Sequence, residues 1–256
     1  MQTRREFLAG GLLALVHVSG TPCCAQELRR RARGPGCVLT ERQAQPFLYT
    51  AGQRQLFISG KEPMIAKSGN KDFDMALAQT LAKIASAFEV LPHFAYYDDY
   101  DGQNAYATNA VRSKRSDGTV LFGQGLLQEL MANIESPAVA VAAVCAHEFG
   151  HILQYKRGLD RVLLDKQPTV KRVELQADFF AGYFAGKRKL ERPSYPAAVV
   201  AITQFGYGDN DVDSESHHGT PKQRGDAVVA GFNAAYRSQL SLADAIESSV
   251  AYVAAQ

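Results

Sequence analysis

Apolar residues recur at steps of three and four along much of the chain, and this spacing predicts helices with at least one buried face. The first such stretch covers residues 72–90, and Pro92 ends it. Most of the second half of the chain is predicted to be helical, with glycine and proline marking the breaks. The further helices are predicted at residues 126–133, 137–156, 169–187, 196–205, 221–235 and 241–254.

Three short segments between these helices are bounded by turn residues and predict β-strands, the first of them aromatic-rich. They lie at residues 93–97, 104–107 and 119–123, and weaker strand signals occur at residues 47–49 and 56–58. A helix, a small group of strands and then a series of helices favour an α+β fold. The expected domain is single and mostly helical, with a small β-sheet.

The predicted helix at residues 137–156 is small and apolar on all sides over its first half, as a buried helix is. Its second half contains a His-Glu-x-x-His pattern from His147 to His151. Residues four apart share one helix face, so these two histidines can direct their imidazole nitrogens at one metal ion. Glu148 can then take a proton from a metal-bound water without being a ligand. The alternative is a chance match, since so short a pattern also arises without a metal.

Two carboxylates on the following predicted helix can complete a metal site for which two histidines alone provide too few ligands. A catalytic zinc site needs a third protein ligand and one position for water, and Glu174 can be that ligand. Asp178 lies on the same helix face and can accept the spare ring N–H of a ligand histidine, with His147 the first choice. The alternative is an exposed acidic face. Against it, the neighbouring residues are apolar, and buried carboxylates without a cation are costly.

The two motifs together resemble the gluzincin zinc metallopeptidases, whose third ligand here would lie in the Glu-x-x-Ala-Asp segment from Glu174 to Asp178. Residues 104–107 and 118–123 are similar to the segment before the active helix in gluzincins of the CAAX-protease type. Residues 218–224 resemble a segment of the bacterial putative neutral zinc metallopeptidases. The resemblance covers residues 100–235 and implies a zincin-like fold with one Zn²⁺ per chain, held by His147, His151 and Glu174.

The resemblance also implies where a substrate lies. In such enzymes the strand just before the active helix forms the sheet edge along which a peptide binds, because backbone hydrogen bonds give affinity with little demand on sequence. The residues of that edge strand would be Thr119, Val120, Leu121 and Phe122.

Two residues of the segment at 218–224 receive roles from the same resemblance. His218 matches a position that can donate a hydrogen bond to the developing oxyanion. Its alternatives are the adjacent His217 and a structural role at the start of a helix. Arg224 is expected to orient a carboxylate or a loop rather than to contact substrate.

The predicted function is that of a zinc-dependent metalloendopeptidase, which hydrolyses peptides or unfolded proteins with Glu148 as the general base. Two other functions stay open at this point. One is a catalytically silent zinc-binding protein with a chaperone-like or interaction role, against which the intact Glu148 counts. The other is a zinc hydrolase acting on cell-wall cross-links, which the sequence does not separate from a peptidase.

The amino-terminal residues have the pattern of an export signal. Arg4 and Arg5 precede an apolar stretch at residues 8–18, and small residues lead to a cleavage point after Ala25. Residues 1–25 are therefore interpreted as a cleaved signal peptide of the twin-arginine type, and the protein as periplasmic or secreted. A retained anchor would need a longer apolar stretch, and a lipoprotein would need an aliphatic residue before the cysteines.

Residues 26–45 are expected to be a flexible lead-in, leaving residues 46–256 as the metallopeptidase domain. Whether the lead-in acts as a pro-segment is open. A formal net charge of +2 gives no reason to expect nucleic acid as a partner, and no stable membrane insertion is expected after cleavage. The oligomeric state is left open.

Two further features need an interpretation. Cys37 and Cys145 could pair in an oxidising compartment, but Cys145 lies within the predicted buried helix, which favours a free thiol. Asp209, Asp211 and Asp213 have the alternating spacing of a calcium loop, but the glycine and the final glutamate of such a loop are missing. These aspartates are therefore interpreted as a solvated acidic loop.

Overall fold

The computed structural model describes residues 62–99, 102–133 and 135–256, and all of them belong to one compact unit. The predicted signal peptide, the lead-in, Cys37 and the weak strand signals at 47–49 and 56–58 lie outside the described residues. The helices and strands, in chain order, are α1 (Lys71–Phe88), β1 (His93–Tyr97), β2 (Ala105–Thr108), β3 (Thr119–Gly123), α2 (Gln124–Asn133), α3 (Pro137–Arg157), α4 (Leu159–Leu164), α5 (Lys171–Glu191), α6 (Ala198–Gly206), α7 (Pro221–Tyr236) and α8 (Leu242–Ala254).

The small sheet has the strand order β1-β3-β2. Strand β3 pairs in parallel with β1 and antiparallel with β2, so both of its sides are occupied. The prediction that Thr119, Val120, Leu121 and Phe122 form the sheet edge is therefore wrong. The reason is that β3 lies between β1 and β2 and pairs with both, so that β2 forms one margin of the sheet. Residue Ile65 forms an isolated antiparallel bridge with Tyr96 on the other margin.

Alternate residues of β3 point to opposite faces of the sheet, as the two-residue period of a strand requires. Val120 and Phe122 join the main core beside α3, whereas Leu121 joins a smaller cluster on the other face. That cluster also contains Ala95, Tyr97 and Tyr106. Both faces of the strand are buried, which explains its nearly continuous apolar sequence.

Helix α3 runs through the centre of the molecule and is buried from Ala140 to Gln154. It packs against α1, α2, α5, α6 and the sheet, so no side of this part of the helix is left to solvent. Pro137 occupies its first turn, where the missing N–H costs nothing. Gly158 ends it with a φ of 67°, a backbone conformation that glycine adopts without strain. Ser136 is the N-cap residue of this helix, but its side chain makes no capping hydrogen bond.

Helices α5 and α7 pack closest of all, because glycines line the contact. A Cβ atom at Gly182 would lie 1.9 Å from the carbonyl oxygen of Val228, and one at Gly231 would lie 1.8 Å from that of Phe179. Only glycine allows the two backbones to approach this far. This contact holds the helix that carries Glu174 against the helix that carries Arg224.

The predicted α+β architecture, mostly helical with a small sheet, is confirmed. Each predicted helix is present with ends shifted by a few residues, while the short helix α4 was not predicted. The thiol of Cys145 is buried and free, as favoured from the sequence. Across the described part of the chain, no helix has the length and apolar character that a membrane span requires.

Candidate metal centre

The three candidate ligands converge from two neighbouring helices. His147 and His151 stand one turn apart on α3, and Glu174 lies in the first turn of α5. The Nε2 atoms of the two histidines are 3.0 Å apart. Carboxylate oxygens of Glu174 lie 3.4 Å from His147 Nε2 and 3.7 Å from His151 Nε2. All three side chains are buried, and this group can hold a metal ion.

The spacing and chemistry of the three side chains fit a small divalent cation. Nitrogen and oxygen ligands about 2.0–2.1 Å from a tetrahedral zinc ion lie about 3.3 Å from one another, and the three separations lie on both sides of that value. Among the described residues, no donor forms a hydrogen bond of normal geometry with either buried carboxylate oxygen of Glu174. A buried carboxylate in that position is stabilised by a cation.

The pKa values of Glu174 and His151 are shifted by their surroundings. Burial alone would raise the pKa of Glu174. The nearby His147 side chain and the charges of His151 and His218 outweigh it and hold this pKa below its usual value of 4.5. Burial lowers the pKa of His151 to about 4, against the opposing effect of the Glu174 charge. At neutral pH the centre therefore offers an ionised carboxylate and a neutral imidazole, as metal binding requires.

Asp178, supported by Arg224, contacts His147 at Nδ1, the ring nitrogen that does not face the other candidate ligands. The predicted contact is present, with Asp178 Oδ1 lying 2.8 Å from His147 Nδ1. Arg224 donates to both carboxylate oxygens of Asp178, from Nε at 2.7 Å and from Nη2 at 2.9 Å. Burial alone would raise the pKa of Asp178, but the Arg224 guanidinium outweighs it and keeps the pKa below 3.8. An ionised Asp178 makes Nδ1 of His147 the protonated nitrogen, which leaves Nε2 for a metal.

Arg224 also fixes the loop between α6 and α7. Its Nη1 donates to the backbone oxygen of Tyr207 at 3.3 Å, and its Nη2 donates to Gln204 Oε1 at 3.2 Å. The amide nitrogen of Gln204 donates in turn to the backbone oxygen of Ala143 on α3. The expectation that Arg224 orients a carboxylate or a loop is therefore confirmed for both.

Two histidines beside the centre share one aspartate. His217 Nδ1 lies 2.6 Å from Asp209 Oδ1, and His218 Nδ1 lies 3.3 Å from Asp209 Oδ2, which also accepts the backbone N–H of His218 at 2.9 Å. The Nε2 atom of His218 is buried and has no hydrogen-bond partner among the described residues. The charge of His218 is among the causes that lower the pKa of Glu174, which relates this histidine to the candidate metal centre.

The interpretation of residues 209–213 as a solvated acidic loop is wrong for Asp209. Its residue surface is only 7% exposed, while Asp211 and Asp213 are exposed as expected. The carboxylate is occupied by the two histidines and by the backbone N–H of Asp211. Burial opposes ionisation of Asp209, but the hydrogen bonds from His218 and His217 outweigh it and lower its pKa.

Glu148 and Gly150 complete the motif between the two histidines. Glu148 is fully buried on α3 directly after His147. A Cβ atom at Gly150 would lie 3.2 Å from the Cα atom of Ala177 and 3.4 Å from the Cβ atom of Phe180, both on α5. The absence of a side chain at Gly150 therefore sets how closely the two ligand-bearing helices approach.

The centre lies deep inside the protein. His147 is 2% exposed, and Glu148, His151 and Glu174 are 0% exposed. Three polar residues that the sequence did not single out, Gln154, Gln204 and Asp209, are buried and bonded to the site. Gln154 could have been found from its position three residues after His151 on one helix face, whereas Gln204 and Asp209 carry no distinguishing spacing.

Comparisons with known proteins add no assignment to this geometry. No protein-family model, no curated protein and no solved structure matches the chain. The resemblance to gluzincins therefore stays a prediction, and the buried group of His147, His151 and Glu174 is what bears on function.

Proposed function

We propose that the protein is a zinc-dependent metalloendopeptidase with a zincin-like fold, acting in the periplasm or outside the cell. The observation that carries the proposal is the convergence of His147, His151 and Glu174 on one buried point, with Asp178 behind the first ligand. Imidazole and carboxylate ligands in this number suit zinc and leave a fourth position for water. The general base follows from the motif, because Glu148 is adjacent to the first ligand but is not part of the ligand group.

In this proposal a bound zinc ion would lower the pKa of a water molecule toward neutrality and polarise the scissile carbonyl. Glu148 accepts the proton of the attacking water and passes it to the leaving amine. His218 stabilises the developing oxyanion. Its Nδ1 contacts Asp209, and its buried Nε2 has no hydrogen-bond partner among the described residues, so Nε2 is the atom that this proposal directs at the oxyanion. Asp178 and Gln154 hold the two histidine ligands from behind.

The correction to the sheet order moves the proposed substrate edge from β3 to β2. Within the described residues, β2 has a neighbour on one side only. Asn104 accepts from the backbone N–H of Gly123, so the alternation of an antiparallel ladder turns the backbone groups of Ala105 and Ala107 away from β3. In this proposal an extended peptide adds to that margin through backbone hydrogen bonds once the margin is uncovered, because Ala105 and Ala107 are 2% and 3% exposed in the structure. Tyr155 of α3 contacts the same margin, 3.5 Å from the carbonyl oxygen of Ala107.

The test combines metal analysis with digestion of an unfolded protein. Wild type is expected to contain one zinc per chain and to cleave denatured casein, and a chelator should abolish cleavage until zinc is restored. Glu148→Gln should keep its zinc and lose about 10²–10⁴-fold in rate, the usual contribution of general acid–base catalysis. Glu247→Gln makes the same change at an exposed position of α8 and should behave as wild type. Undiminished cleavage by Glu148→Gln would rule out its role as the base.

The burial of the centre favours a second candidate, a zinc-binding protein that does not cleave. Ligands that are 0–2% exposed leave a peptide little access to Glu148. The same experiment separates the two candidates. Wild type that binds one zinc per chain and cleaves no peptide at any zinc concentration supports the second candidate and contradicts the first.

A further inference from the structure

The second ligand histidine is held by a glutamine. His151 Nδ1 lies 2.8 Å from Oε1 of Gln154, which is fully buried on the next turn of α3. The amide nitrogen of Gln154 donates to the backbone oxygen of Val173 at 2.8 Å and to Gln176 Oε1 at 3.1 Å. All three hydrogen-bonding contacts of this amide are thus made inside the protein.

The amide of Gln154 has only one acceptable orientation. A backbone carbonyl can only accept a hydrogen bond, so the group that faces the Val173 oxygen at 2.8 Å has to be the NH₂ group. With the amide turned over, two carbonyl oxygens would face each other at that distance. The amide oxygen of Gln154 therefore faces His151, and the ring nitrogen opposite that oxygen has to carry a proton.

A second backbone carbonyl fixes the same direction from the far end of the network. Ser249 of α8 donates its single hydroxyl hydrogen to the Ile246 backbone oxygen at 2.7 Å. The hydroxyl can then only accept from the Gln176 amide nitrogen, which lies 2.9 Å away. This turns the amide oxygen of Gln176 toward Gln154. Every donor in the series therefore has an acceptor, from α8 to the metal centre.

We infer that Gln154 is a positioning residue that holds His151 as the Nδ1–H tautomer and so keeps the Nε2 lone pair free for a metal ion. The inference rests on the metal centre of the proposed function. An imidazole that binds a metal through Nε2 has its proton on Nδ1, and its partner there sets both tautomer and ring orientation. Because Val173 directly precedes Glu174, the same amide also ties α3 to the backbone beside the third ligand.

The test reads the tautomer in the full-length, metal-free protein. Long-range ¹H–¹⁵N correlation of labelled histidines at pH 7 distinguishes a protonated Nδ1 from a protonated Nε2, and His151→Gln assigns the signals. Wild type should show His151 as the Nδ1–H form. Gln154→Met keeps the length of the side chain but removes its polar atoms. It should mix the two tautomers and weaken Zn²⁺ binding, measured against a competing chelator, by about 10–100-fold.

Two further variants separate positioning from a structural role. Gln176→Met makes the matched change at another buried glutamine, but Val173 still orients the Gln154 amide, so the tautomer and zinc affinity should stay close to wild type. Gln154→Glu keeps an acceptor for His151 and loses both donated bonds. It should therefore retain the Nδ1–H form even though the protein is less stable.

The inference is overturned if Gln154→Met keeps the wild-type tautomer and zinc affinity, if Gln176→Met changes both as much, or if folded Gln154→Glu loses the tautomer. These outcomes are independent of turnover. A wild type with the Nδ1–H form that binds zinc but cleaves no peptide contradicts the peptidase and supports the role of Gln154. A wild type that cleaves peptides while His151 shows no tautomer preference supports the peptidase and contradicts the role of Gln154.

Discussion

Asp178 and Arg224 bring one negative and one positive charge into the protein interior, where each depends on the other. Both of the carboxylate oxygens accept from the guanidinium group, and the arginine is 2% exposed. The attraction offsets the desolvation of both groups only while the pair is complete, because removal of one partner leaves an uncompensated buried charge. At the residue scale, the orientation of His147 therefore depends on a pair that contacts no metal itself.

This dependence predicts a pH-dependent stability difference between wild type and Asp178→Asn. At neutral pH the variant should lose up to about 3–5 kcal/mol, since Arg224 loses the carboxylate that accepts two of its hydrogen bonds and keeps only the carboxylate of Glu174, 3.9 Å away, as a nearby counter-charge. The pKa of Asp178 is lowered by folding, so its stabilising contribution is present above 3.8 and is lost as the pH falls through the folded pKa. The difference in free energy of unfolding between wild type and Asp178→Asn should therefore become smaller below pH 3.8. Urea unfolding of the two metal-free proteins measures this difference. A difference that does not change with pH would contradict an ionised Asp178 in the folded protein.

The residues of the centre divide into those that sequence can identify and those that it cannot. His147, Glu148, His151 and Glu174 stand in two motifs whose spacing encodes a helix face. Asp178 follows from the same spacing. Gln154 lies three residues after His151 on the same helix, so its contact also has a helical spacing, whereas Asp209 acquires its role only where separate segments meet.

At the scale of elements, the position of Glu174 depends on how closely α5 approaches α7. Gly182 and Gly231 remove the side chains that would separate the two backbones. Helix α7 also begins with a capping box between Thr220 and Gln223, which fixes where Arg224 emerges. The helix pair therefore determines the distance between Arg224 and Asp178.

Gly182→Ala tests this contact. The added methyl group would lie 1.9 Å from the carbonyl oxygen of Val228, and backbone atoms cannot rotate away as a side chain can. The variant should lose about 1–3 kcal/mol or more, as overpacked interiors do. Gly225→Ala is the matched control on α7, because its methyl group would meet Phe205 at an ordinary 3.5 Å. The control should gain about 0.5–1 kcal/mol from higher helix propensity. Equal effects in thermal unfolding would count against the close contact.

The elements themselves were largely predictable, whereas their arrangement was not. The spacing of apolar residues is a local signal, and so are residues that start or end a helix, such as Pro137 and Gly158. The helices predicted from these signals are present. The place of β3 in the sheet is set by pairing with β1 and β2, which is a long-range property. A strand buried on both faces has the same apolar sequence at a sheet centre and at a covered margin, so the substrate edge was assigned wrongly.

At the scale of the whole molecule, the proposed metal binding would be linked to folding because the candidate ligands come from separate helices. An unfolded chain does not bring His147, His151 and Glu174 together, so an ion that binds them stabilises the folded state. Behind Glu174, residues Leu163, Val173, Leu175, Ala227 and Val253 form a small apolar cluster that connects α4, α5, α7 and α8. This cluster packs the four helices together on both sides of Glu174 in the sequence, through Val173 and Leu175.

For the zinc centre of the proposed function, removal of the ion is predicted to lower the free energy of unfolding. At a free zinc concentration 100 times the dissociation constant, the ion should contribute about 2.7 kcal/mol. The increase in melting temperature on adding zinc to chelator-treated protein measures this contribution. Glu174→Gln should show a much smaller increase, and Glu247→Gln should respond as wild type. An equal response from Glu174→Gln would exclude it as a ligand.

The close approach of α3 and α5 at Gly150 has a consequence for selectivity among ions. The close backbone approach at Gly150 and the burial of His147, His151 and Glu174 together restrict how far the three side chains can move. The conformational entropy of ordering the ligands is thus lost during folding, before any ion arrives. Ca²⁺ takes several oxygen ligands at about 2.3–2.6 Å, so a small buried group in which two of the three side chains are imidazoles disfavours it.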